Sequence, residues 1–155
     1  MSKDIDVSGI AVRMRMLQQS FDAFDEAAAT LLGLNRTDLR CLDLILADDP
    51  MSAGELTTAA KLSPAATTTA IDRLERAGFV TRNRDAANRR RVLVAATEAA
   101  RAAEREVYGP VGEAGIMALR RYGEDQLAVI LDFLETARRV QEEQTARLKG
   151  LPVRG

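Results

Sequence analysis

Between Ser52 and Ala95 the chain carries two capped helix starts in quick succession, and its apolar period then changes from that of a helix to that of a strand. Few folds accept that order. Ser52-Ala53-Gly54-Glu55 reads as a capping box, in which Ser52 and Glu55 satisfy each other's exposed amides, and it opens a short helix to about Ala60. Lys61-Leu62 is a tight connection. Ser63-Pro64 supplies an N-cap and a proline at the first helical position, and the helix from Pro64 runs to Ala77, where Gly78 stops it. Its apolar face is Ala70, Ile71, Leu74 and Ala77, with Thr67 one turn earlier, while Ala65, Thr68, Thr69 and Asp72 occupy the opposite side. Each threonine is about half a kcal/mol worse than alanine in a helix. A run of them reflects either neutral drift or small hydroxyl groups facing a groove. After Gly78, residues 79–84 and 91–95 alternate with period two around the polar turn 85–90, which predicts a two-stranded hairpin.

Long helices flank this block. Ile10, Met14, Leu17, Phe21, Phe24, Ala28 and Leu31 form an unbroken helical stripe that ends at Gly33. That length exceeds what one small domain covers, so the stripe either faces a second subunit or lies in the chain's own core. Asn35, with Asp38 three residues on, opens an apolar helix carrying Leu39, Leu42, Leu44, Ile45 and Leu46, which Asp48-Asp49-Pro50 breaks. Thr97-Glu98 caps a helix that continues toward Tyr122, with a kink expected at Gly109-Pro110. Beyond Gly123 a last helix places Leu127, Ile130, Leu131, Leu134 and Ala137 on one face, and the tail from Gly150 is expected to fray.

Charge is distributed unevenly. The chain's net charge is −1, yet residues 61–91 hold eight basic side chains against three acidic ones. Arg82, Arg84, Arg89, Arg90 and Arg91 crowd one hairpin, where like charges across a ribbon repel unless an anion lies between them. On composition alone a basic solvated surface explains the block as well as an anionic partner does.

Other chemistry is poorly supported. The chain has no His and one Cys, which removes His-based acid–base catalysis, CxxC redox chemistry, Cys/His zinc sites and intrachain disulfides. No Gly-rich phosphate loop is present, no cofactor or metal is implied, and an enzyme is not expected. The sole thiol, Cys41, lies among Leu39, Leu42 and Ile45, so a buried structural role is favoured over redox sensing. Met1–Val7 is acidic and polar where a signal peptide would be basic then apolar, no apolar run approaches a membrane span, and a cytoplasmic protein is expected.

Two helices followed by a two-stranded hairpin make a winged helix-turn-helix. The second helix enters the major groove with its N-terminal residues first, and arginines on the wing suit the narrow, negative minor groove. The basic block falls on these two elements. The fold class expected is therefore mainly α with a two-stranded β-hairpin wing, flanked by long N- and C-terminal helices.

The residues Ser63-Pro64, Ile71-Asp72-Arg73-Leu74-Glu75-Arg76-Ala77-Gly78-Phe79-Val80, Arg84-Asp85-Ala86-Ala87-Asn88-Arg89-Arg90 and Thr97 resemble the MarR (multiple-antibiotic-resistance regulator) family over nearly the whole chain. The family's wing pattern is Asp, any residue, Arg, five residues, Leu, Thr. Here it reads Asn88-Arg89-Arg90, residues 91–95, Ala96, Thr97. Asn88 stands where the family has an Asp that pins the wing arginine, and Ala96 where it has a packing Leu. The arginine that reaches the minor groove maps to Arg90. The resemblance implies a homodimer built from the terminal helices (1–34 and 97–149) around a DNA-reading region (35–96), with a tail at 150–155, all one structural domain. It also implies a regulator of transcription, most often a repressor, that binds a pseudo-palindromic operator in double-stranded DNA and is released by a small molecule, often an aromatic acid. Pro64, Ala65, Thr68, Thr69, Arg73, Arg82, Arg84, Asn88, Arg89 and Arg90 are the expected DNA contacts, and the effector pocket is not assigned. The rival reading from another class is a winged-helix module that binds protein; the wing arginines argue against it.

Overall fold

The computed structural model describes residues 7–153, so the reading of Met1–Val7 lies outside the described residues except for Val7 itself. The elements are α1 (Val7–Leu32), α2 (Arg36–Ala47), β1 (Met51–Ser52), α3 (Ala53–Ala60), α4 (Pro64–Arg76), β2 (Val80–Arg84), β3 (Val92–Ala96), α5 (Glu98–Leu119) and α6 (Glu124–Lys149). The chain divides into two compact units between Gly109 and Pro110. Pro110 lies inside α5 and lacks the N–H of a helical residue.

In the first unit the local signals act where the sequence places them. Asn35 caps α2 by accepting from the Asp38 N–H at 2.8 Å. The Ser52–Glu55 capping box forms reciprocally, with the Ser52 N–H donating to the Glu55 carboxylate at 2.7 Å and the Glu55 N–H donating to Ser52 Oγ at 3.2 Å. Gly33 and Gly78 take positive φ of 67° and 80° to end α1 and α4, and the next residue's N–H donates back to Ala29 and Leu74 respectively, the closure that favours glycine at this position. Lys61 takes the same left-handed conformation at φ 55°.

The β2–β3 hairpin forms as expected, and β1 adds a short third strand, giving an antiparallel sheet of order β1-β3-β2. Met51 pairs with Val94 and Ser52 with Leu93. Two residues are too few to show a period, and Ser52 serves at once as strand end and helix cap, so this strand left no signal of its own. The β2–β3 register runs from Val80 opposite Ala96 to Arg84 opposite Val92.

The main core joins Cys41, Leu42 and Ile45 of α2 to Met51, Leu56 and Ala60, to Ala70, Ile71 and Leu74 of α4, and to Val80, Val94 and Ala100. Each large aliphatic side chain so buried contributes about 1.5–3 kcal/mol. A second cluster packs Leu39 of α2 on Ala28 and Ala29 of α1, with Phe24, Leu32 and Val107 at its edge. Phe24 also meets the Tyr108 ring at 5.6 Å between centroids. Most of the α1 stripe has no cover in the single chain: Ala28 is buried, but Ile10, Met14, Leu17, Phe21 and Leu31 are exposed. In the second unit α6 has no buried residue, and Leu131 and Leu134 are exposed.

Beside the second cluster, desolvation and then the Asp25 and Glu104 carboxylates push Asp43 up to about 6. The Tyr108 hydroxyl, buried nearby without an aligned hydrogen bond, is pushed up to about 12 chiefly by its own desolvation. The folded protein therefore keeps a proton on Asp43 that the unfolded chain releases near pH 4, and this group subtracts stability as pH rises from about 4 through about 6. Asp43→Asn should stabilise the protein by about 1 kcal/mol at pH 7, a figure discounted for solvent screening of an exposed carboxylate, with no gain at pH 4. Denaturant melts at the two pH values check this; equal gains at both would show that the carboxylate's charge is not the cause.

Candidate nucleic-acid interface

The inner face of α4 is buried through Thr67, Ala70, Ile71 and Leu74, which leaves Pro64, Ala65, Thr68, Thr69 and Asp72 on the exposed side. Ser63 caps the helix by accepting from the Ala66 N–H at 3.1 Å, and the Thr67 N–H donates to the Ser63 carbonyl at 2.9 Å. Pro64 has no N–H to offer. The Ala65 amide is thus the one left at the first turn, where an incoming phosphate oxygen finds both a donor and the positive end of the helix dipole.

The threonines have settled geometry. Thr68 Oγ1 donates to the Pro64 carbonyl and Thr69 Oγ1 to the Ala65 carbonyl, each at 3.0 Å. Both hydroxyl protons are thereby used inside the helix. What each residue shows to solvent is a methyl group and oxygen lone pairs, suited to a thymine methyl or to an amino donor on a base edge. Thr67 is different: buried, it accepts from Thr57 Oγ1 at 2.9 Å and donates to the Ser63 carbonyl, locking α3 to α4.

The five hairpin arginines separate into two groups. Arg82 is held by Asp72 and Glu75 of α4, and Arg91 by Glu55 of the α3 capping box. The Ser52 N–H first, and Arg91 next, hold the Glu55 carboxyl down near 2. Arg84, Arg89 and Arg90 have no side-chain acceptor among the described residues and lie exposed. The repulsion expected across the ribbon is therefore relieved inside the protein for two arginines, and three remain open to an external anion.

The wing's turn is fixed by its own polar groups. Asp85 Oδ1 accepts from the Ala87 N–H at 2.8 Å and Asn88 Oδ1 from the Arg90 N–H at 3.2 Å, two local side-chain turns. The Arg91 N–H donates to the Asn88 carbonyl at 2.8 Å. Asn88 thus orders the backbone beneath Arg90 and makes no bond to its guanidinium. At the wing's base Asp49 accepts from the Ala96 N–H at 2.9 Å and pairs with Arg101. Thr97 Oγ1 donates to the Gly78 carbonyl at 2.7 Å and accepts from the Ala100 N–H.

Arg73, the remaining expected contact, is engaged by Asp38 of α2 at 2.6 and 2.7 Å. Sequence reasoning saw Asp38 only as a first-turn acid, and it missed Glu55, Asp49 and Arg101 as supports of the wing. No local pattern links side chains so far apart in sequence. Cys41 is fully buried, and desolvation, followed by the Asp38 carboxylate, raises its pKa, so access and acidity both oppose a redox role.

A MarR family model matches residues 34–92. A Bacillus subtilis (strain 168) protein described as an uncharacterized HTH-type transcriptional regulator, YcgE, is 38% identical over 126 residues, spanning 81% of this chain and 82% of that protein. The chain belongs to the MarR family. Solved structures share the fold at low identity. RV1404 from Mycobacterium tuberculosis matches with a TM-score of 0.70 at 18% identity, over 90% of this chain and 97% of that one. YusO from Bacillus subtilis matches at 0.63 and 20%, over 91% and 99%, and wild-type MarR from E. coli at 0.60 and 20%, over 88% and 98%. As a MarR family member the chain is a DNA-binding transcription regulator and not an enzyme. No described helix is long and apolar enough to cross a membrane.

The clamp on Arg82 yields a test of its role. Should Arg82 mainly neutralise Asp72 and Glu75, Arg82→Ala exposes two carboxylates beside DNA and weakens binding about tenfold, and the loss disappears in the Asp72→Asn/Glu75→Gln background. A phosphate contact would instead lose as much in either background. Titrations of duplex DNA at fixed salt distinguish the two.

Proposed function

We propose that this MarR family protein is a homodimeric repressor that acts in the cytoplasm, binds a pseudo-palindromic operator and leaves it when a small aromatic acid binds. The observation that carries the DNA contact is the pairing, in one unit, of an exposed α4 face (Ala65, Thr68, Thr69) with three wing arginines that have no side-chain acceptor among the described residues. In this reading α4 enters the major groove through Pro64, Ala65, Thr68 and Thr69. Arg90 reaches the adjacent minor groove from the turn ordered by Asn88, and Arg84 and Arg89 lie along phosphates. Arg73 and Arg82 act at the edge of the helix, each already paired with carboxylates.

The dimer rests on surplus apolar surface. Phe21 at 60% exposure, Leu31 at 69% and Leu131 at 67% are costly to leave in water, and a second copy covering α1 and α6 removes that cost. For the effector, a cavity of about 320 Å³ beside α1 and α2 is lined by Asp25, Arg36, Thr37, Leu39, Arg40, Asp43, Ala60 and Leu62, the lower end of the usual ligand-pocket range. Arg36 is engaged by Asp22, Asp25 and Glu26. Arg40 has no carboxylate partner among the described residues, so it is the counter-ion for a bound acid.

Selection of bound sequences from random duplex DNA with the purified protein tests this reading; recovery of no inverted-repeat sequence would overturn it. On the selected operator, Arg90→Ala should cost more than on random DNA, because groove width is read there as well as charge. Arg84→Ala should weaken both equally and lower the salt slope by about one per subunit. Sedimentation of the intact protein at micromolar concentration should show a dimer; a folded monomer would remove the assembly proposed here.

A further inference from the structure

We propose that Asp38 is a positioning residue for DNA recognition, holding Arg73 so that the open edge of its guanidinium meets a backbone phosphate at the rim of the major groove. The inference rests on α4 being the helix that reads DNA, and it adds a residue outside α4 and the wing to the machinery.

Asp38 sits in the first turn of α2 and is 1% exposed. Its two oxygens accept from Arg73 Nε at 2.6 Å and Nη2 at 2.7 Å, a two-point bond between residues 35 apart. A guanidinium has five N–H donors, so this grip leaves Nη1 and the outer Nη2 hydrogen open. No protein acceptor takes Nη1 among the described residues, and the Arg73 side chain is 37% exposed where its partner's is 2%. One edge of the group is anchored inside the protein and the other faces out.

Position along the helix says what the open edge meets. Arg73 lies about 13 Å beyond Pro64 on the axis of α4, at ~1.5 Å per residue. The major groove is about 12 Å wide. When the N-terminal turn of α4 occupies the groove, Arg73 has passed the base edges and stands at the phosphate wall. It follows Thr69 by one helical turn, on the flank between the buried and the exposed faces.

Stability alone does not account for a buried carboxylate here. Hydrophobic side chains of similar volume commonly replace a buried ion pair without loss, and α2 and α4 already share Cys41, Leu42, Ile45, Ala70, Ile71 and Leu74 in one core. Apolar contacts tolerate sliding and rotation, whereas a two-point bond does not. Asp38 freezes a long side chain before DNA arrives, so the ordering cost is not met at the moment of binding.

The test measures affinity of the full-length protein for its selected operator duplex at several salt concentrations, with a thermal melt of each variant. Asp38→Asn should weaken operator binding about tenfold while leaving the salt slope at the wild-type value, because Arg73 keeps its charge. Arg73→Ala should weaken binding further and reduce the slope by about one per subunit. In the Arg73→Ala background Asp38→Asn should have no further effect. Unchanged affinity in Asp38→Asn, or an equal loss with and without Arg73, would overturn the proposal. Where Asp38→Asn melts below the assay temperature, Arg73→Lys decides, since it keeps the charge and loses the fork: about tenfold weaker binding at an unchanged slope supports the proposal, and wild-type affinity overturns it. Failure of the unmodified protein to bind any duplex would strike the assignment of α4 itself, an outcome distinct from those of the variants.

Discussion

What α4 presents to solvent depends on how completely its inner face is buried. Ala70, Ile71 and Leu74 are at most 2% exposed and pack with α2, α3 and the sheet in one core. Three such anchors within two turns leave the helix no freedom to roll, so its outer residues are determined by its inner ones. Ala65, Thr68 and Thr69 are therefore surface residues by necessity. A helix turns 100° per residue, so losing the inner face would scramble the outer one.

Carboxylates set how the arginines of this region are divided. Glu55 takes Arg91, Asp72 and Glu75 take Arg82, Asp38 takes Arg73 and Asp49 takes Arg101. The exposed pairs, those of Arg91 and Arg82, contribute about 0–1 kcal/mol each, too little to explain folding. The carboxylates' effect is geometric: Asp72 and Glu75 tie α4 to β2, and Asp38 ties α2 to α4. Of the hairpin arginines, Arg84, Arg89 and Arg90 are left over, at and beside the turn of the wing. Net charge near zero and strong local attraction for an anion are thus compatible in one chain.

The parts of this architecture legible in the sequence were those encoded within a few residues. Helix starts at Asn35, Ser52 and Ser63, stops at Gly33 and Gly78, and the alternation of the wing all follow from local bonds or periods, and the structure places them within a residue or two. β1 was not legible, because two residues carry no period and one of them was already explained as a cap. The division of the five arginines was also hidden. Like-charge crowding was visible along the chain, but the carboxylates that relieve it come from α3 and α4, and only the folded arrangement brings them to β2 and β3.

Asn88 shows how far a motif carries and where geometry has to take over. The family pattern has an aspartate there, whose charge suits direct pairing with a guanidinium. An asparagine oxygen is a weaker acceptor for a guanidinium but remains a good one for an amide, and Asn88 Oδ1 accepts the Arg90 N–H. The turn is thereby ordered through its backbone, and the Arg90 side chain has no partner among the described residues. An arginine pinned by a carboxylate reaches DNA oriented but partly neutralised. One left free arrives with its full charge and has its rotamers to lose on binding. If the proposed DNA contacts hold, the wing exchanges orientation for charge at Arg90 while Asp38 keeps orientation at Arg73, and the two arginines divide between them what a single pinned residue would do alone.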